Sequence, residues 1–331
     1  MFNKLSLCQI PTPLETMPRL GMKIGVETLL IKRDDLLGRG LGGSKLRKLE
    51  FIVSQALSQG ADTLITIGSF ESNHVALMSI VSRMQGLRPI VVLRVPTGKR
   101  SHTFNHCIQN SLEVETHIVE YVEGDIASQA MVRQKVDSYV SELVDKLTQE
   151  GHHPFFVPEG GCCLEGSYAF VEAFDELHKQ MQKQGYQKYD IIVPVGSGST
   201  YAGLWCGSQR AGAEVKIRGI SIALRNPRCL KETRKATERV CNELGLRSPE
   251  LKELDITDLF IGDGYAKSTE WSTRGIKLAL RTEGLLLDHT YTGKALGAMI
   301  TLLEKESPNH PVVFWHTGGV SGAVDNLFGL F

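Results

Sequence analysis

The sequence predicts an α/β protein with mostly parallel sheets. Two observations carry that prediction. Short β-branched runs repeatedly end in a glycine- or serine-bearing turn and lead into a helix-period segment, the order that parallel sheets require. The chain has 331 residues, 42% hydrophobic and 22% charged, ordinary globular composition and enough for one large domain or two moderate ones.

The elements follow in order. DTLITIG (62–68) reads as a strand, SFESNH as its turn and VALMSIVSRMQG as a helix in which Val75, Met78 and Met84 form a buried stripe and Gly86 is the stop. LRPIVVLRV (87–95) leads through PTGKR into a helical NHCIQNSLEV, and HHPFFVPEGG (152–161) enters a glycine turn. YDIIVPV (189–195) is followed by GSGST and the helix YAGLWCGSQRAG. HPVVFW (310–315) is followed by HTGG and a closing helix. The charged segment 228–256 reads as solvated helix with a loop. No repeat or low-complexity tract interrupts the alternation.

Charge narrows the partner. Lys+Arg and Asp+Glu both total 37, so no global field draws nucleic acid or an anionic membrane, and a small molecule is favoured. Seven cysteines form an odd set without a framework, and MFNKLSLCQIP lacks the apolar core of a signal peptide, so reduced thiols in the cytoplasm are expected. The apolar stretches 191–195 and 284–287 fall far short of the roughly 20 residues that span a bilayer.

Three motifs carry chemistry. In IKRDDLLGRGLGGSKLRKLEF (31–51), Lys45 follows two glycines and Ser44 at a helix start. A lysine is nucleophilic only when neutral, so its usual pKa of about 10.4 must fall through burial or neighbouring cations, for which Arg47 and Lys48 are candidates. The same spacing also fits a solvent-facing helix lysine. Gly196, Ser197, Gly198, Ser199 and Thr200 follow a buried strand and open a helix, so their amides and hydroxyls can converge on a phosphate. A plain tight turn remains the alternative. Tyr201 breaks the G-x-G-x-x-G dinucleotide pattern and no acidic residue ends the next strand, which disfavours NAD; an NADP-dependent reductase with Arg225 near the 2'-phosphate stays open. Glu71, Ser72, Asn73 and His74 sit at a first helical turn that suits either a substrate carboxylate or an ordinary N-cap.

Taken together, GGSKLRKLEF, ESNH, VGSGSTYAGL, GDGYA, DHTYTGKALGAM and HTGG resemble, in that order and over essentially the whole chain, the D-cysteine desulfhydrase and 1-aminocyclopropane-1-carboxylate (ACC) deaminase family. That family belongs to the tryptophan synthase β-like group of pyridoxal 5'-phosphate (PLP) enzymes. The resemblance implies two three-layer α/β domains with the cofactor in the cleft between them. The expected boundaries are residues 1–48 with 160–331 for the large domain and 49–159 for the small one. It implies that Lys45 carries PLP as a Schiff base and that Gly196–Thr200 cradle the phosphate. It further implies that Asn73 and Thr317 face the cofactor, that Ser72, Tyr291 and Tyr265 serve catalysis, and that Ser44, Glu71, Ser72, Asn73 and His74 face the substrate. A homodimer is expected on the same ground.

ACC deaminases resemble one another in a glutamate after the tyrosine, where this chain has Thr292, and this chain keeps Thr317 of HTGG. A hydroxyl makes the cofactor ring a weaker electron sink than a carboxylate does, which suits β-elimination from D-cysteine better than ring opening. Glu71, Phe70 and Ser44 depart from the family's glutamine, glycine-isoleucine and asparagine. They leave ACC deamination and other β-eliminations or replacements as alternatives. His152–His153, Cys162–Cys163 and the His102/His106 pair lack metal-site spacing, so no metal is expected.

Overall fold

Each apolar run that the sequence marks as a strand is paired in parallel with another, and the helices between them make the crossovers. The computed structural model describes residues 2–98, 103–122 and 126–328; Lys99, Arg100 and His102 lie outside them. In chain order the elements are β1 (Leu14–Thr16), α1 (Pro18–Ile24), β2 (Leu29–Arg33), α2 (Lys45–Ser58), β3 (Thr63–Gly68), α3 (Asn73–Met84) and β4 (Arg88–Pro96). Then come α4 (Phe104–Ser111), β5 (Glu115–Tyr121), α5 (Ile126–Gln149), β6 (Pro154–Val157), α6 (Leu164–Lys183), β7 (Lys188–Val195) and α7 (Ser199–Ala211). The chain closes with β8 (Glu214–Ser221), α8 (Arg228–Leu244), β9 (Ile256–Thr257), α9 (Glu270–Glu283), α10 (Thr292–Glu306), β10 (Val312–His316) and α11 (Val320–Phe328).

The chain divides into two compact units. The smaller comprises the segment ending at Ser6 together with Leu49–Gly161, and the larger comprises Leu7–Lys48 with Cys162–Phe331. The smaller unit holds a sheet of order β5-β4-β3-β6, parallel throughout. One face of it, Ile65, Ile90, Val92 and Val119, packs on Val136, Val140, Leu143 and Leu147 of α5. Helix α3 lies against β3 and β4. Its stripe differs from the sequence reading at one end: Val75 and Met78 are buried, whereas Met84, the last residue of the helix, is 43% exposed. Gly86 then leaves the helix with φ 73°.

The larger unit has the order β1-β2-β10-β7-β8-β9, parallel except for β1 against β2. Side chains alternate across a strand, so Ile31, Ile192, Ile220 and Phe314 share one face with α1, α9 and α10. On the opposite face Trp315 meets Phe170 of α6 edge-on, with ring centroids 6.0 Å apart, and α6, α7 and α8 pack side by side. This is a three-layer unit. Helix α8 is less solvated than its composition predicts, because Cys229, Thr233, Ala236, Val240 and Cys241 form a buried stripe along it.

The parallel order decides where the loops go. Strands β2, β10, β7 and β8 are neighbours that point the same way, so the loops at their C-terminal ends share one edge of the sheet, where open α/β sheets place ligands. Those loops lead to Lys45, Thr317, Gly196–Thr200 and Ile222.

Candidate active site

Lys45 opens α2, at the end of the loop that leaves β2. The loop is held in place by backbone. Gly43 and Gly318 touch, so closely that a Cβ on Gly318 would stand 2.7 Å from Gly43 Cα, and the Ser44 amide donates to the Thr317 carbonyl at 2.9 Å. Both glycines have positive φ, 108° and 110°, which a side-chain-bearing residue adopts only with strain. The GGSK and HTGG turns are therefore one assembly, and Lys45 and Thr317 come together through it.

Burial lowers the Lys45 amine to about 8, against the opposing pull of the Asp288 carboxylate and Cys162. The neighbouring cations do not do this work. Arg47 is neutralised by Asp34 and Glu176, with Nη2 2.8 Å and 2.9 Å from their oxygens, in a buried network that also includes Lys32, Thr12 and Trp315. Lys48 is 1% exposed, and its own proton affinity is depressed by burial first and by Lys45 second; its Nζ lies 5.7 Å from the centre of the Phe170 ring. Desolvation, rather than cation repulsion, is what lowers the Lys45 amine.

Two strand spacings across the edge from β2, about 10 Å, the Gly196–Gly198 turn leaves β7. Helix α7 has Gly198 at its N-cap with φ 82° and no side-chain cap, so its first amides are left for an anion. A Cβ at Gly198 would stand 2.8 Å from Thr233 Cα, so α8 closes the back of the turn and only glycine fits. Gly196 and Ser197 keep accessible surface, while Ser199 is buried with its hydroxyl 3.0 Å from that of Ser167. Thr200 is nearly buried. The Cys162 thiol donates to the Ser197 carbonyl at 3.3 Å, and Arg239 donates to the Cys162 carbonyl. Arg225, the candidate for a nucleotide 2'-phosphate, donates to the Gly262 carbonyl.

The Tyr291 turn is organised by a carboxylate. Asp288 is 2% exposed and accepts from the Tyr291 amide at 3.0 Å, the Thr292 amide at 2.8 Å and the Thr292 hydroxyl at 2.6 Å. Burial raises its pKa against those hydrogen bonds. A Cβ on Gly319 would lie 2.7 Å from its Oδ1, so the same residue braces the HTGG turn. Thr292 therefore has its hydroxyl proton committed to Asp288. Tyr291 Oη and Tyr265 Oη are 2.6 Å apart, and the Tyr291 ring edge is 3.7 Å from where a Gly196 Cβ would stand. Lys45, Ser44, Thr317, Gly196–Thr200, Tyr291 and Tyr265 thus all belong to the larger unit.

In the smaller unit, Ser72 is the N-cap of α3, its Oγ accepting from the Val75 amide at 3.3 Å. That bond uses a lone pair and leaves the hydroxyl hydrogen to donate. Asn105 Nδ2 donates to Asn73 Oδ1 and to the Glu71 carbonyl, both at 2.9 Å, and Thr103 donates to the Phe70 carbonyl. The Asn73 carboxamide oxygen is thereby engaged by Asn105. His74 is 2% exposed and its Nε2 lies 3.1 Å from Thr66 Oγ1. Thr66 donates to the Val157 carbonyl, so the imidazole nitrogen is the donor and the ring faces the interior of its unit.

Sequence reasoning assigned no role to Asp288 or Lys294, both buried and ionisable. The signal available was small: a charge inside a helical or turn segment whose neighbours are apolar or glycine. Among the described residues no three His, Cys, Asp or Glu side chains stand together as a metal set, and no described helix is long and apolar enough to cross a membrane.

A desolvated amine, an uncapped helix terminus behind a glycine turn, and the buried Ser44 hydroxyl with no partner among the described residues are groups whose chemistry suits an aldehyde that bears a phosphate. Fold and site together define a cofactor-dependent enzyme of amino acid chemistry. Residues 5–318 match the family described as pyridoxal-phosphate dependent enzymes, and the chain belongs to that family. A Pyrococcus abyssi protein that carries the provisional name 1-aminocyclopropane-1-carboxylate deaminase is 34% identical over 97% of this chain and 93% of its own length. The D-cysteine desulfhydrase of Klebsiella pneumoniae (strain ATCC 700721 / MGH 78578) is 32% identical over 96% of this chain and 94% of its own. A crystal structure described as that of an ACC deaminase homologue superimposes with a TM-score of 0.87 at 31% identity, covering 100% of this chain and 97% of that one. The cofactor of the family is pyridoxal phosphate, and the donors in the larger unit fit it.

Proposed function

We propose that this enzyme eliminates the β-substituent of a small amino acid, with D-cysteine as the substrate: D-cysteine and water give pyruvate, ammonia and hydrogen sulfide. The observation that carries the choice is the commitment of Thr292 to Asp288. With no carboxylate after Tyr291, Thr317 is the residue that would offer the cofactor ring a neutral hydroxyl. That favours departure of a good β-leaving group over opening of an unactivated ring. When bound, the cofactor supplies an electron sink for charge at the substrate α-carbon.

The chain's own residues do the rest in this reading. Lys45, with an amine near 8, holds the cofactor and exchanges a proton with the substrate α-carbon. The α7 amides and the Gly196–Thr200 turn bind the phosphate, with Ser44 and Asn73 as further cofactor or substrate donors. Ser72, Asn73 and the turn formed with Glu71 and His74 orient the substrate carboxylate, supported by Ser72 at the N-cap of α3, where its Oγ accepts from the Val75 amide and its hydroxyl hydrogen can donate. Tyr291 and Tyr265, joined through their hydroxyls, return a proton to the leaving sulfur. A homodimer in the cytosol completes the reading, checked by sedimentation and fractionation.

The test is a substrate panel of D-cysteine, L-cysteine, ACC, D-serine and β-chloroalanine with products identified. The expected result is pyruvate and sulfide from D-cysteine with no 2-oxobutanoate from ACC. Rapid turnover of ACC with none of D-cysteine would overturn the proposal.

A further inference from the structure

Lys294 sits in the first turn of α10, where the helix dipole disfavours a cation, and is 0% exposed. Among the described residues no carboxylate bonds it. Its ammonium donates instead to three main-chain carbonyls: Ile222 at 3.3 Å, Ile261 at 2.8 Å and Gly264 at 2.6 Å. An ammonium has three N–H donors and a neutral amine two, so the three carbonyls fit the charged form. Each belongs to a segment that builds the candidate site. Ile222 follows β8, and its side chain lies about as near to a Cβ at Gly196 as Tyr291 does, at 3.9 Å against 3.7 Å. Ile261 and Gly264 bracket the loop that ends at Tyr265, whose hydroxyl reaches Tyr291.

We propose that Lys294 is a positioning residue: its ammonium is a tethered cation in a carbonyl cage that fixes the 261–265 loop, and so holds the Tyr265 phenol against that of Tyr291. The inference goes beyond the proposed substrate and stands if that substrate is wrong, because it concerns the loop and not the amino acid. Burial lowers the Lys294 amine to about 8 against the pull of Asp288 and Asp263, so the cage retains a charge that its surroundings resist. A residue that merely filled space would be replaceable by a side chain of equal volume. A tethered cation is not.

The experiment compares full-length, cofactor-loaded wild type with Lys294→Met and Lys294→Ala, following deuterium exchange of the amides from 261 to 266 with ammonium or tetramethylammonium chloride present. In both variants exchange there should quicken by about tenfold or more, the effect of losing one charge-assisted hydrogen bond, while amides of α6 stay unchanged. Ammonium, which carries N–H donors and fits the space left in Lys294→Ala, should restore protection to within about threefold of wild type; tetramethylammonium, equally charged but without donors, should not. Unchanged exchange in Lys294→Met, or a loss spread over the whole unit that ammonium does not reverse, overturns the proposal. If neither variant folds, Tyr265→Phe decides: a loop held by the cage keeps its protection without the phenol oxygen, whereas loosening of 261–265 shows that the tyrosine pair holds the loop and overturns the assignment.

Discussion

In the proposed function, the depressed basicity of Lys45 sets how fast the cofactor is captured. At pH 7 an amine with a pKa of about 8 is neutral in roughly one molecule in ten, on the order of 300 times more often than an ordinary lysine. The observable is capture of pyridoxal phosphate by cofactor-free protein, trapped with borohydride at successive times and located by mass spectrometry. The rate should rise with pH to a plateau with a midpoint near 8, and Lys45→Met should lose the label. The same shift fixes a stability effect. Between pH 8 and 10.5 the unfolded chain keeps a proton that the folded one has released, so this group makes stability rise with pH across that window. Below it the buried charge costs about 3 kcal/mol, and Lys45→Met should raise the thermal midpoint of the cofactor-free protein by about 6–12 °C at pH 7. A capture midpoint near 10, or a Lys45→Met protein melting below wild type at pH 7, would refute the claim that burial activates this amine.

Other perturbations test the surroundings of the site. Gly198→Ala places a methyl 2.8 Å from Thr233 Cα at φ 82°; left-handed strain of about 1–2 kcal/mol and overpacking of about 1–3 kcal/mol should appear as a weaker cofactor affinity in fluorescence titration and a lower melting temperature. Asp288→Ala removes the acceptor of three hydrogen bonds, with an expected destabilisation of about 3 kcal/mol or more by urea unfolding; an unchanged midpoint would mean that the Tyr291 turn holds itself. Burial pushes the Glu176 carboxyl up, but the hydrogen bonds and charges of Arg47 and Lys32 outweigh it and hold the group at about 2. Its contribution, about 3 kcal/mol, is present above pH 4.5 and lost as pH falls through 2, so Glu176→Gln should flatten the acid limb of the stability profile; an identical limb would show the network to be idle.

The local grammar was legible without coordinates because it depends on short-range chemistry. A β-branched run, a glycine turn and an amphipathic segment specify strand, loop and helix wherever they occur, which is why YDIIVPV-GSGST-YAGL and HPVVFW-HTGG read correctly. Lys45 at a helix start was legible for the same reason. Met84 was not, since whether the last residue of α3 is covered depends on what packs against it.

The sequence by itself determined the alternation of elements, the order of six motifs and, through them, the family and its cofactor. Only the tertiary structure decided that burial, and not Arg47 or Lys48, lowers the Lys45 amine; that Asp288 takes the Thr292 hydroxyl; and that Lys294 grips three carbonyls from two separate loops. The physical reason is range. Hydrogen-bond partners and desolvation are set by groups that the parallel crossovers bring together from distant parts of the chain, and no local pattern encodes which carbonyl or carboxylate will be waiting there.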